Sequence, residues 1–231
     1  MRWRTFIAVL AVTAIAVGVF LAIPDLDLTV ARGMIGSDGY FLLRGSVVFD
    51  WVHTWIGLLV GVCLGFFGLA AVARLLGRPI AGLGLAHALF IFGLFAIGPG
   101  LLANTVLKDH SGRARPAQVP EFGGALYYSA PFAFDGACPR NCSFVAGDPA
   151  VGFAYIGPAL LLPRRRRAAG VAGALLLGGG IGLMRMFQGG HFFSDVIFSG
   201  VVVTATALAL HWLIFRDDGS PRLAILRDRQ A

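Results

Sequence analysis

Residues 108–116 read Lys108-Asp-His-Ser-Gly-Arg-Ala-Arg-Pro116, and they follow directly on an apolar run from about Leu83 to Leu107. Lys108 is the only lysine among 19 basic residues, and Arg113, Arg115 and His110 lie within seven positions of it. Arginine matches phosphate oxygens with a planar fork, whereas lysine acts as a point charge. Ionisable groups at the edge of lipid are costly unless they are paired or functional. The cluster therefore suggests a cup for a small, highly charged anion at a membrane surface. Snorkelling of long side chains toward lipid headgroups accounts for isolated residues such as Arg32, Arg44 and Arg140, but poorly for this group.

The composition around the cluster points to the membrane. Hydrophobic residues make up 57% of the 231 residues, charged residues 13%, and mean hydropathy is +0.78. A water-soluble core of this size could not hide that much apolar surface. A net charge of +7 would suggest nucleic acid in a soluble protein, but here the arginines sit at the ends of apolar segments and report topology instead. Three cysteines make neither a disulfide scaffold nor a zinc pattern, and no metal or cofactor is expected. Cys138 and Cys142 are placed for a short disulfide if their loop lies outside the cytoplasm.

Working outward from the cluster, the pattern predicts an all-α polytopic protein of six membrane spans, forming a single membrane-embedded domain over residues 1–231. The spans are Thr5–Ile23, Trp51–Ala73, Leu83–Leu107, Ser143–Pro163, Ala168–Phe187 and Val196–Phe215. The third is expected to break or kink at Gly98-Pro99-Gly100. Gly57, Gly61 and Gly65 in the second, and the many glycines of the fifth, predict close helix packing. Trp3, Trp51, Trp55 and Trp212 fall at the proposed boundaries as interfacial anchors, and His53, His87 and His211 read as packing or interfacial residues. Residues 25–50 are expected to lie along the outer surface with short interfacial helices, and residues 216–231 to form a short cytoplasmic tail. Six spans put both termini on one side, where twelve of the positive charges fall against seven opposite. That bias predicts cytoplasmic termini and a loop carrying the site on the extracytoplasmic face.

Three polar clusters reach this face: Lys108 with Arg113 and Arg115, the segment Gly147-Asp148-Pro149, and Arg185 with His191 and Asp195. His191 and Asp195 are four residues apart, which places them on one face if the stretch is helical. A carboxylate bonding one ring nitrogen fixes the tautomer and leaves the other nitrogen to act. Asp148-Pro149 reads equally well as an N-cap followed by proline at the first helical position.

The set Lys108, six residues, Arg115-Pro116, then a glycine-containing second motif, then Arg185, five residues, His191, three residues and Asp195 resembles the type 2 phosphatidic acid phosphatase superfamily. Its membrane members are six-helix lipid phosphatases. The resemblance implies metal-independent hydrolysis of a phosphate monoester or diphosphate on a membrane lipid. His191 would attack phosphorus to give a phosphohistidine, Asp195 would orient its ring, and Lys108, Arg115, Arg185 and Gly147 would bind the phosphoryl group. The second motif departs from the family's Pro-Ser-Gly-His, with Val145-Ala146-Gly147-Asp148 in its place. Asp148 thus stands where the family has its leaving-group acid, with His110 and Arg113 as additional candidates for the site. Lacking a good acid, the site would favour a leaving group that departs without full protonation, such as a diphosphate or a sugar 1-phosphate.

The text Glu121-Phe-Gly-Gly124 with Asn141-Cys-Ser-Phe144 resembles bacterial members grouped with lipid A phosphatases. It favours a lipid A phosphate as substrate, in a bacterial inner membrane with a periplasmic site. Undecaprenyl diphosphate is the competing substrate. A non-catalytic relative that binds phospholipid headgroups, or has a transport role, is the reading from another class.

Overall fold

A computed structural model describes residues 2–78, 80, 83–223 and 226. Pro79, Arg227 and Arg229 lie outside the described residues, as do the other unlisted positions of the tail and the side chains of Arg2 and Arg4. All regular elements among the described residues are helical: α1 (Arg2–Ala22), α2 (Leu26–Arg32), α3 (Val47–Leu75), α4 (Leu85–His110), α5 (Gly147–Ala154), α6 (Ile156–Leu161), α7 (Arg164–Phe187) and α8 (Phe193–Ile214). Five of them, α1, α3, α4, α7 and α8, are long and apolar enough to cross a membrane. The protein is a multi-pass membrane protein. Trp3, Trp51, Trp55 and Trp212 are all exposed on it, as interfacial anchors would be.

The expected fourth span takes another form. Residues 147–161 make two short helices separated at Tyr155, and every residue of α5 is buried. This pair of short helices is the centre of the bundle, its first helix packed against α7, α8 and the second half of α4. Small residues allow that packing: a Cβ on Gly152 would lie 2.7 Å from the Gly178 Cα, and one on Gly178 would lie 2.3 Å from the Phe153 ring. The glycine row of α3 behaves differently. Gly57, Gly61 and Gly65 have nothing within 4 Å of a Cβ, so this row packs against no other part of the described chain. Periodicity marks a smooth helix face, but the partner of that face depends on tertiary placement.

The Gly98-Pro99-Gly100 segment does not interrupt α4. The helix widens instead into a π-helix over Ala96–Leu107. Proline lacks the N–H of an α-helical bond and crowds the carbonyl four residues back, and a wider turn relieves both. Asn104 Nδ2 donates to the Pro99 carbonyl at 2.8 Å and Thr105 Oγ1 to the Gly100 carbonyl at 3.1 Å. The helix therefore carries Lys108 to its far end without a break.

Ring contacts fix the relative directions. Phe20 near the end of α1 meets Phe193 and Phe198 near the start of α8, and His87 near the start of α4 meets Phe215 just beyond α8. The ends of α1, α4 and α7 and the starts of α3, α5 and α8 thus gather at one pole, with the Arg164–Arg167 run at the other. Residues 25–50 do more than line a surface. Asp27 is 1% exposed and Phe41 4%, and the Phe41 ring packs against Phe122. This segment is folded into the pole that holds the polar clusters.

Adjacent glycines give a direct check on the packing. Gly178→Ala should destabilise the detergent-solubilised protein by about 1–3 kcal/mol through overpacking. Gly179→Ala, with nothing within 4 Å of its Cβ, should leave the melting temperature unchanged or raise it slightly. Equal shifts in the two variants would contradict the placement of α5 against α7.

Candidate active site

The polar pole is assembled by backbone hydrogen bonds between segments distant in sequence. Cys138 N donates to the Gly112 carbonyl, Cys142 N to Lys108 and Ser143 N to Arg113, so the segment leading to α5 is laid along residues 108–113. Cys138 and Cys142 are joined as a disulfide within that segment. Gly112 adopts φ +65°, and a Cβ there would lie 2.8 Å from the Gly136 carbonyl, so the turn requires glycine. Ala117 N donates to the Gly189 carbonyl, which ties the same stretch to the α7–α8 connection.

His191 lies in that connection, outside helical structure, and α8 begins only at Phe193. The expected shared helical face of His191 and Asp195 is therefore not what brings them together. His191 Nδ1 lies 2.8 Å from the Ser143 carbonyl and 3.7 Å from Asp195 Oδ2. A carbonyl only accepts, so Nδ1 carries the proton and Nε2 keeps its lone pair. Asp195 acts on the ring mainly through Ser143, whose Oγ donates to Asp195 Oδ2 at 2.5 Å. Asp195 also accepts the Phe192 N–H at 2.7 Å, which caps the first turn of α8. Burial pushes the His191 imidazole down to about 4; the Asp195 carboxylate opposes this shift, and the charges of Lys108 and Arg115 add to it. The ring is thus neutral near pH 7, with its lone pair on the nitrogen a nucleophile needs.

Arg113 takes a different place from the one its sequence neighbours suggested. Only 2% exposed, it donates to Asp195 Oδ1 at 2.5 Å, Ser194 Oγ at 2.7 Å, Asp27 Oδ2 at 2.7 Å and the Ser129 carbonyl at 2.9 Å. Its guanidinium stacks over the Phe192 ring at 4.5 Å. Burial works against its charge, but Asp195 and Asp27 outweigh burial and hold the group above its ordinary value. Arg113 is therefore a buried counter-ion rather than a phosphate ligand. Asp27, on α2, also accepts from the backbone N–H and the Oγ of Ser194. The sequence gives no role to Asp27, and it marks Ser143 only as part of the Asn141–Phe144 text; tertiary contact supplies the role of each.

Lys108, Arg115 and Arg185 remain as the open cation set. Lys108 lies within electrostatic reach of Arg115, Asp148 and Arg185, and Arg115 is lowered by burial and by Arg185. Arg115 is steadied by donating to the Asn141 carbonyl at 2.9 Å, and Arg185 by donating to Gln188 Oε1 at 2.8 Å. Gly147 starts α5 between them: a Cβ there would lie 2.2 Å from Asn104 Oδ1 and 3.2 Å from Lys108 Nζ. Close approach of this helix start to the Asn104 side chain thus favours glycine, and it sets the lysine ammonium beside it. His110 is exposed and bonds back to the Val106 carbonyl of its own helix at 2.8 Å.

Asp148 faces two donors through one oxygen. Its Oδ2 lies 3.1 Å from Arg185 Nε and 2.7 Å from His53 Nδ1. A carboxylate in that setting is an acceptor, so Asp148, although it stands at the position of the family's acid, is not placed as a proton donor. His53, read from sequence as a packing or interfacial residue, instead belongs to this pole.

The two arginines of the first motif should separate by measurement. Arg113→Met leaves Asp27 and Asp195 buried without their cation and should cost about 3–5 kcal/mol of stability. Arg115→Met should keep the melting temperature while weakening the affinity for inorganic phosphate. Equal effects on melting would contradict the assignment.

The chain is 36% identical over 202 residues to a lipid A 4'-phosphatase of Francisella tularensis subsp. novicida (strain U112), a match covering 85% of this chain and 90% of that relative. It is 40% identical over 121 residues to lipid A 4'-phosphatases of Rhizobium leguminosarum and Rhizobium etli, covering 51% of this chain and 52% and 47% of theirs. No solved structure matches. The family model that matches spans residues 84–218, from just before α4 to just beyond α8 and across all three polar clusters. On these matches the chain belongs to the PAP2 superfamily.

Proposed function

We propose that the protein hydrolyses the 4'-phosphate of lipid A at the periplasmic face of a bacterial inner membrane. The observation that carries the reading is the committed tautomer of His191: Nδ1–H is given to the Ser143 carbonyl, and Nε2 is left as a neutral nucleophile within electrostatic reach of Lys108 and Arg115. The kinship to lipid A 4'-phosphatases over most of the chain supports the substrate. The Arg164–Arg167 run at the pole opposite the polar clusters supports a periplasmic site, because positive charge accumulates in cytoplasmic segments.

In this mechanism Nε2 of His191 attacks phosphorus as the bond to the sugar oxygen breaks, giving a phosphohistidine. Lys108, Arg115 and Arg185 hold the phosphoryl oxygens and offset the charge that grows on them in the transition state. Asp195, through Ser143, keeps the ring oriented. Water then displaces His191 and releases inorganic phosphate. A 4'-phosphate is an ester of an ordinary ring hydroxyl, so the preference for easily departing groups expected from sequence does not hold for this substrate.

Purified protein in detergent should release phosphate from lipid A, with mass spectrometry placing the loss at the 4' position, and His191→Ala should release none. No release by wild type, or equal release by the variant, would overturn the reading. The pH dependence follows from the depressed imidazole: the nucleophile is lost only as pH falls through about 4, whereas an unperturbed histidine would be mostly protonated below about 6.5. Single-turnover phosphorylation of the enzyme should therefore keep more than half of its pH 7 rate at pH 5.

A further inference from the structure

We infer that His53, held by Asp148, is the general acid that protonates the leaving oxygen, replacing from α3 the proton donor that the α5 segment lacks. The inference rests on the proposed phosphatase reading and adds a residue to it. His53 stands six residues after α3 begins, outside the first and third motifs, and its Nδ1 lies 2.7 Å from Asp148 Oδ2. The pair is asymmetric: the His53 side chain is 49% exposed and that of Asp148 12%. An exposed ion pair adds little stability, so a purely structural tie would be a poor use of a half-open histidine at the pole that holds the nucleophile. With Nδ1 committed to the carboxylate, Nε2 is the nitrogen left to exchange a proton, as a general acid requires.

The chemistry balances with groups already present. His191 Nε2 forms the bond to phosphorus, the bond from phosphorus to the sugar oxygen breaks, and its electron pair goes to that oxygen. The oxygen takes the Nε2 proton of the His53 imidazolium and leaves as an alcohol. In the second step the oxygen of water bonds to phosphorus, the bond to His191 breaks, and neutral His53 takes the proton of the water. Asp148 is a positioning residue here, since it acts through His53. The charged or titratable groups that face the pair are Arg185 on the shared oxygen, Lys108, Arg115 and His191 within reach of Asp148, and Asp50 on α3, whose Oδ1 accepts from Gln188 at 3.3 Å.

The test compares leaving groups in His53→Gln, with Asp148→Asn as the second variant. On lipid A, whose sugar oxygen needs a proton to depart, His53→Gln should lower kcat by about 10²-fold or more. On 4-nitrophenyl phosphate, whose leaving group departs unprotonated, kcat should stay within about tenfold of wild type. The alkaline fall of kcat on lipid A should vanish in His53→Gln, and Asp148→Asn should show a smaller, equally selective loss. Equal losses on both substrates, or lipid A turnover near wild type, would overturn the assignment. Should wild type not accept the aryl ester, the alkaline limb decides alone, and its survival in His53→Gln would overturn it. Failure of wild type on lipid A would instead sink the phosphatase reading itself.

Discussion

The buried guanidinium of Arg113 between Asp27 and Asp195 is the interaction on which the polar pole depends. Removing three charges from water is expensive, and the cost is offset only when geometry is good and the remaining donors and acceptors are satisfied. Here they are: Ser194, Ser129 and the Phe192 N–H complete the set. The network joins α2, the stretch after α4, the following loop and the start of α8, four segments that are otherwise far apart in sequence. By neutralising one oxygen of Asp195 it leaves the other to hold Ser143 and the first turn of α8. Ser143 in turn sets the tautomer of His191, so the state of the imidazole proposed as nucleophile is traced back to a buried ion pair.

This network also explains how the cations divide. Arg113 is balanced by two carboxylates and contributes little net field. Lys108, Arg115 and Arg185 all lie within reach of Asp148, whose Oδ2 is the carboxylate oxygen shared between Arg185 and His53. In the proposed mechanism a phosphoryl group would meet three cations in a setting of restricted water, where each charge counts for more than it would in solution. Two arginines two residues apart thus do opposite work, one inside the protein and one toward the anion.

Much of this was legible in the sequence. Apolar runs located the long helices, because only such runs bury enough apolar surface in lipid. Motif spacing identified Lys108, Arg115, Arg185 and His191 as one group. What spacing could not supply was the third dimension. Gly98-Pro99-Gly100 looked like a helix break, but the π-helix absorbs it with side-chain bonds from Asn104 and Thr105. Arg113 looked like Arg115 because both flank the same alanine, and only contact with Asp27, from a segment read as interfacial, turns it inward. His53 looked like an interfacial residue because nothing nearby in sequence pairs with it. Its partner lies 95 residues away.

The central claim is that the phosphoryl group passes through His191 at the nitrogen its network leaves free. Quenching the enzyme with lipid A at alkaline pH, digesting it and mapping the phosphorylated residue and isomer tests this most directly. Phosphate on Nε2 of His191 is the predicted result. Phosphate on Nδ1 of His191, or on any other side chain, would contradict the account.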